Sequence, residues 1–151
     1  MSDTQSRTRA KKAPSQLRQF SQDLQKAADL ARHPVGRFMI QPIMRFYARK
    51  TLRSKTAQAP QSDANMQDYA LEFQRMFPTK RLYRIVDVED DVAYFDIQVE
   101  CPLRASGDGQ ACHRMMQYDR SLAAGLGVNF EVLESQAITG AATCRVALRR
   151  K

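Results

Sequence analysis

A change of period near residue 80 constrains this chain most. RLYRIVDV (81–88) and VAYFDIQVE (92–100) alternate or run apolar and β-branched, with Glu89, Asp90 and Asp91 between them. Period two around an acidic break reads as a β-hairpin. Two further runs of the same kind, VNFEVLESQAI (128–138) and AATCRVALRR (141–150), meet near Thr139-Gly140. Between the two pairs, residues 109–125 and the adjoining Leu126 carry Ala111, Met115, Leu122 and Leu126 at helical spacing, with polar residues interleaved. Asp108 is placed to cap that helix, and Gly125 or Gly127 to end it. The second half of the chain is therefore expected to be a β-β-α-β-β unit with a mostly antiparallel sheet.

Ahead of the unit the period is helical. Leu17, Phe20, Leu24, Ala27, Ala28 and Ala31 recur at steps of three and four, with Ser15 as a cap and His33-Pro34 as a stop. Residues 35–53 mix Phe38, Met39, Ile40, Ile43, Met44, Phe46 and Tyr47 with Arg37, Arg45, Arg49, Lys50 and Arg53. Pro42 inside this run predicts a short turn to Ile40 and a new helix from about Pro42, since proline fits the first turn. Such a segment is either an interfacial helix for a membrane or an acidic partner, or a core helix with a solvated basic face. The fold class is α+β: N-terminal amphipathic helices, then the β-β-α-β-β unit.

The organisation follows from composition. Residues 1–14 are polar, charged and closed by Pro14, and read as a disordered basic arm. Residues 15–55 are the basic amphipathic helices, 56–65 (TAQAPQSDAN) a linker by composition, and 66–151 an α+β domain of ligand-binding or hydrolase-like type. That domain opens with an amphipathic segment, MQDYALEFQRMF, ended by Pro78. At 151 residues the chain suits one core, and no apolar run is long enough to span a bilayer. The basic start lacks the apolar stretch of a secretory signal, so a cytoplasmic protein is expected, with peripheral membrane association if the helices dock there.

The net charge of +8 is unevenly distributed. Residues 1–55 carry +10, residues 56–144 carry −6, and Arg145, Arg149, Arg150 and Lys151 close the chain. The folded middle is acidic, which places nucleic acid last among partners and leaves an anionic membrane surface or an acidic protein for the basic helices. Seven methionines and the apolar helix pair are also compatible with a homodimer.

Three cysteines at irregular spacing, without CxxC, suggest reduced thiols rather than a disulfide framework. Cys112 falls in the first turn of the central helix, where the helix N-terminus favours a thiolate, with His113 and Arg114 beside it. It is a candidate nucleophile, although a lone cysteine on a helix is more often a small buried core residue. Asp119 lies seven residues on, about two turns along the same face, as candidate general base. Arg104, Arg114 and Tyr118 are candidates for holding a small anionic substrate. In an alternative reading Cys101, Cys112 and Cys144 converge as ligands for zinc or an iron–sulfur cluster; otherwise no cofactor is expected. No P-loop, GxGxxG or Ser-His-Asp order is present.

One set of residues resembles a known family. Cys101-Pro102 at a strand end, a helix opening with Cys112 and carrying Asp119, the strand NFEVLESQAI, and Gly140 followed by Cys144 together resemble the L-2-amino-thiazoline-4-carboxylic acid hydrolase-like family, and more distantly vinyl-reductase-type ligand-binding domains. The resemblance covers about residues 80–149. It implies an α+β domain whose sheet and helices enclose a small-molecule pocket. It also implies a C–N hydrolase that opens a thiazoline ring. The alternative is a non-enzymatic ligand- or metal-sensing accessory protein that docks through its basic helices.

Overall fold

The computed structural model describes the backbone of residues 3–151 and the side chains from Ser15 onward. The disordered arm expected over residues 1–14 thus lies at positions whose side chains fall outside the described residues. Helix α1 spans Asp3–Arg32, so Ser15 sits inside it rather than capping it, and it stops where His33-Pro34 was expected to stop it. A 3-10 turn, Gly36–Phe38, leads into α2, Ile40–Ser54. Pro42 occupies the third position of α2, where its missing N–H would have had no partner within the helix. The turn is tight: a Cβ on Gly36 would lie 2.5 Å from Leu30 Cδ1 and 2.7 Å from the Leu30 carbonyl oxygen, so only glycine fits.

Helix α3 (Met66–Arg75) is capped by Asn65, whose side chain accepts from the Asp68 N–H. The hairpin β1 (Tyr83–Val88) and β2 (Val92–Ile97) forms around the acidic turn as expected. The predicted central helix is two helices, α4 (Gly109–Met115) and α5 (Gln117–Leu126), which meet at Met116. Asp108 caps the first through the Ala111 N–H, and Gly127, at φ +85°, ends the second. The run 128–138 is not one strand. β3 ends at Glu134, and Ser135 then caps a single turn, α6 (Gln136–Thr139), before β4 (Cys144–Arg150).

The four strands form one antiparallel sheet in the order β1-β2-β4-β3. Register across it separates two faces. Phe95 opposite Val146, Ala93 opposite Leu148 and Ile97 opposite Cys144 point to the helices and are buried. Arg84, Asp96 and Arg145 stand in one row on the other face. On the helical side Phe73 of α3 makes tilted or edge contacts with Phe77, Tyr83, Phe95 and Phe130. Phe77 stacks on Tyr83 at 3.8 Å. This aromatic cluster fixes the Tyr83 ring, and with it the direction of its hydroxyl. A second cluster, built from Ala27, Ala28, Ala31, Ile40, Leu103, Ala111 and Met115, joins α1 to α4. Helix α2 bridges the two clusters by packing on α5, so closely that a Cβ on Gly125 would lie 2.5 Å from Leu52 Cδ1.

Candidate functional site

Where the two clusters part, a cavity of about 490 Å³ opens between α1, α2 and the inner side of the sheet, α4 and α5. Its wall is mainly apolar, from Phe20, Leu24, Ile40, Ile43, Met44, Ile97 and Met115 among others. Size and lining are those of a small-molecule site. The polar groups in the wall come from five places. α1 supplies Asp23 and Lys26, α2 Tyr47 and Thr51, β1 Tyr83, α5 Tyr118 and Asp119, and α6 Gln136. All three cysteines line it as well.

Asp119 is the centre of the polar wall. It is 7% exposed, and the Tyr83 hydroxyl donates to its Oδ1 across 36 positions of sequence. Desolvation in the apolar wall outweighs the Tyr83 hydrogen bond and raises its pKa from the ordinary carboxylate value to about 6. The same burial, with the Asp119 charge beside it, pushes the Tyr83 phenol well above its usual value, so Tyr83 is a permanent donor. Next to this pair Tyr118 shares a 2.9 Å hydrogen bond with Thr51 of α2, and burial raises its phenol too.

The cysteines are held individually. Cys144 Sγ accepts from the Gln136 N–H at 3.3 Å, and burial pushes its thiol up to about 11. Cys101 Sγ accepts from the Leu103 N–H at 3.4 Å and is also raised by burial. Cys112 Sγ lies 3.3 Å from the Ser135 hydroxyl, and its own N–H is used within the helix by the Asp108 carbonyl. Cys101, Cys112 and Cys144, the candidate metal ligands, thus each have a separate hydrogen-bond partner. The three share a cavity wall, but among the described residues no group of three or more His, Cys, Asp or Glu side chains is disposed to hold a metal ion.

The predicted site residues divide cleanly. Cys112, Asp119 and Tyr118 line the cavity, as do Cys101 and Cys144. His113 does not. It is exposed on the far side of α4, where Arg120 donates to its carbonyl at 2.6 Å, and burial and the Arg120 and Arg114 charges lower its pKa. The step of about 100° between adjacent helical residues turns it away from Cys112. Arg114 and Arg104 are also outside the cavity. Arg114 Nη1 donates to the Ala31 carbonyl at 3.1 Å and ties α4 to the end of α1. Arg104 Nε donates to the Gly140 carbonyl at 2.9 Å. Neither guanidinium lines the cavity, whereas Lys26 does.

Sequence reasoning missed Tyr83 and Gln136. Tyr83 has an inward position on an alternating strand, which signals burial but not a carboxylate partner. Gln136 sits in the run taken for a strand. Its side chain in fact latches the loop after β2, with Nε2 donating to the Val99 carbonyl at 2.9 Å and Oε1 accepting from the Cys101 N–H at 3.0 Å.

No protein-family model, curated protein or solved structure matches this chain.

Proposed function

We propose that this protein binds a small molecule in the cavity and acts on it as a hydrolase of the thiazoline-carboxylate type, with Asp119 as the proton-handling group. The reading rests on one observation above the others: a buried carboxyl with a pKa near 6, in hydrogen bond to a tyrosine, in the wall of an apolar cavity. A general base is most effective when its pKa lies near the working pH, and burial has moved this one there. A cyclic amidine carries its positive, hydrogen-bonding edge where a carboxylate can receive it. In the ionised form Asp119 takes a proton from a water whose oxygen adds to the amidine carbon, while the C=N electron pair moves onto the ring nitrogen. The tetrahedral adduct then collapses to a carbonyl as the ring C–N bond breaks, and the departing nitrogen takes the proton held on Asp119 and leaves as the amine. Tyr83 keeps the carboxylate oriented.

The cavity is larger than a bare thiazoline carboxylate needs, so the favoured ligand has an apolar body reaching toward Ile43, Met44 and Met115 and a compact polar end at Asp119, Tyr118 and Gln136. Cys112 is secondary in this scheme, since among the described residues no imidazole or carboxylate hydrogen-bonds to its thiol to serve as a base.

Hydrolysis of 2-amino-thiazoline-4-carboxylate and of analogues with apolar substituents, followed against pH, tests the scheme. Activity is expected to rise with pH through about 6, to fall at least a hundredfold in Asp119→Asn and to survive within about threefold in Cys112→Ser. Turnover intact in Asp119→Asn would sink the proposal. Loss in Cys112→Ser alone would transfer the chemistry to the thiol.

A further inference from the structure

The outer side of the 3-10 turn and α2 combines exposed large apolar side chains with exposed cations. Val35, Phe38, Met39 and Phe46 are exposed, Phe38 at 70% and Phe46 at 61%. Around them stand Arg37, Arg45, Arg49, Lys50 and Arg53, all exposed. From Leu30 to Ser62 the chain contains no aspartate or glutamate. Arg45, Arg49, Lys50 and Arg53 form no ion pair with any described acidic side chain, although six described arginines elsewhere are paired with acids. Along α2 the arrangement is ordered. Pro42 and Phe46 are exposed one turn apart, and Arg49, Lys50 and Arg53 continue the same stripe, lining a recess with Phe46. The opposite side of α2 is committed to the cavity and to α5 through Ile40, Met44, Ala48 and Leu52.

We infer that this face docks on an anionic lipid bilayer. An interfacial helix needs apolar side chains able to enter the acyl boundary, cations at phosphate level and no acid between them, and α2 with its preceding turn supplies all three. Duplex nucleic acid would use the cations but leave Val35, Phe38, Met39 and Phe46 without a partner. The proposal does not rest on the cavity reading. It places the cavity beside the membrane all the same, because Ile43, Met44 and Tyr47 of the same helix line the cavity.

Co-sedimentation of the full chain with phosphatidylcholine vesicles, with and without about one-third phosphatidylglycerol, tests the inference. Binding is expected on the anionic vesicles only, weakening with salt. Combined Arg49→Gln, Lys50→Gln and Arg53→Gln should lower it about a hundredfold, at roughly fivefold per cation. Phe38→Ser with Phe46→Ser should lower it about tenfold or more. These side chains are exposed, so a melting temperature near the parent's is the control for folding. Equal binding to neutral vesicles, no binding at low salt, or full binding by either variant would overturn the inference. So would tighter binding to duplex DNA or polyglutamate that is unaffected by Phe38→Ser and Phe46→Ser, since that would identify a different occupant.

Discussion

Two buried carboxylates on opposite sides of the sheet have nearly the same exposure, 5% for Asp96 and 7% for Asp119, and opposite electrostatics. Asp96 lies in the middle of a row on the open face, with Arg145 Nε at 2.5 Å on one neighbouring strand and Arg84 Nη2 at 3.1 Å on the other. The Arg145 hydrogen bond, helped by Arg84, overcomes desolvation and holds its pKa below the ordinary range. Asp119 faces an apolar cavity with a neutral tyrosine as its partner, and desolvation wins. Burial by itself therefore does not set the state of a carboxylate here; the charge of its partners does. Asp96 is held ionised by its arginines, whereas the protonation equilibrium of Asp119 is moved up toward neutral pH.

The difference should appear first in the pH dependence of stability. Asp119 has its folded pKa raised to about 6, so its favourable contribution is fully present below the unfolded carboxylate value and is lost as pH rises through about 6. Over that interval the loss is on the order of 3 kcal/mol, and Asp119→Asn, which mimics the protonated acid, should remove the dependence and be the more stable protein at neutral pH. Urea unfolding of both proteins at several pH values between the two limits measures this. A parent and variant that stay parallel would show that Asp119 is not desolvated.

A second way to sharpen the contrast uses the neighbouring thiol. Burial in the same cavity wall raises Cys144 to about 11, against 9.0 for a free thiol, so its thiolate fraction near neutral pH is about a hundredfold below that of a free cysteine. Mass-spectrometric rates of iodoacetamide labelling should place Cys144 at least that far below a peptide standard. Labelling at the rate of the standard would mean that the wall admits water freely.

The smallest expected effect belongs to the charge-paired side. Asp96→Asn should cost about 1 to 2 kcal/mol, because Arg84 and Arg145 are half exposed and regain solvation when the acid is lost. Its pH signature has the opposite sign to that of Asp119. The stabilisation is present above the unfolded carboxylate pKa and disappears as pH falls through the lowered folded one. A calorimetric scan in which Asp96→Asn and the parent converge in acid and separate toward neutrality would establish it.

The legible parts of the molecule were those governed by local rules. Alternation located β1, β2 and β4, the acidic turn placed the hairpin, Asp108 and Gly127 act as caps, and His33-Pro34 ends α1. Helical period put Cys112 and Asp119 on a common face, and both do line the cavity. Errors arose where a local pattern had two solutions. Residues 128–138 continue an apolar alternation, but Ser135 can cap a helix as readily as extend a strand, and the turn α6 results. His113, Arg104 and Arg114 have the right chemistry for a site, yet proximity in sequence says little about direction: the His113 imidazole lies beside the Arg120 guanidinium, and Arg104 and Arg114 donate to the Gly140 and Ala31 carbonyls, all outside the cavity.

The sequence by itself determined the α+β class, the succession of helices followed by two strand regions either side of a helical one, and the concentration of positive charge on the N-terminal helices, because all of these depend on residue type and short-range period. Only the tertiary structure decided that Tyr83 meets Asp119, that three cysteines from a loop, a helix and a strand share a cavity wall, and that one side of α2 closes a cavity while the other carries exposed cations. Those outcomes depend on how the helices lie across the sheet. Packing of Phe73 against four rings and of Leu52 against Gly125 settles that placement, and no local pattern encodes it.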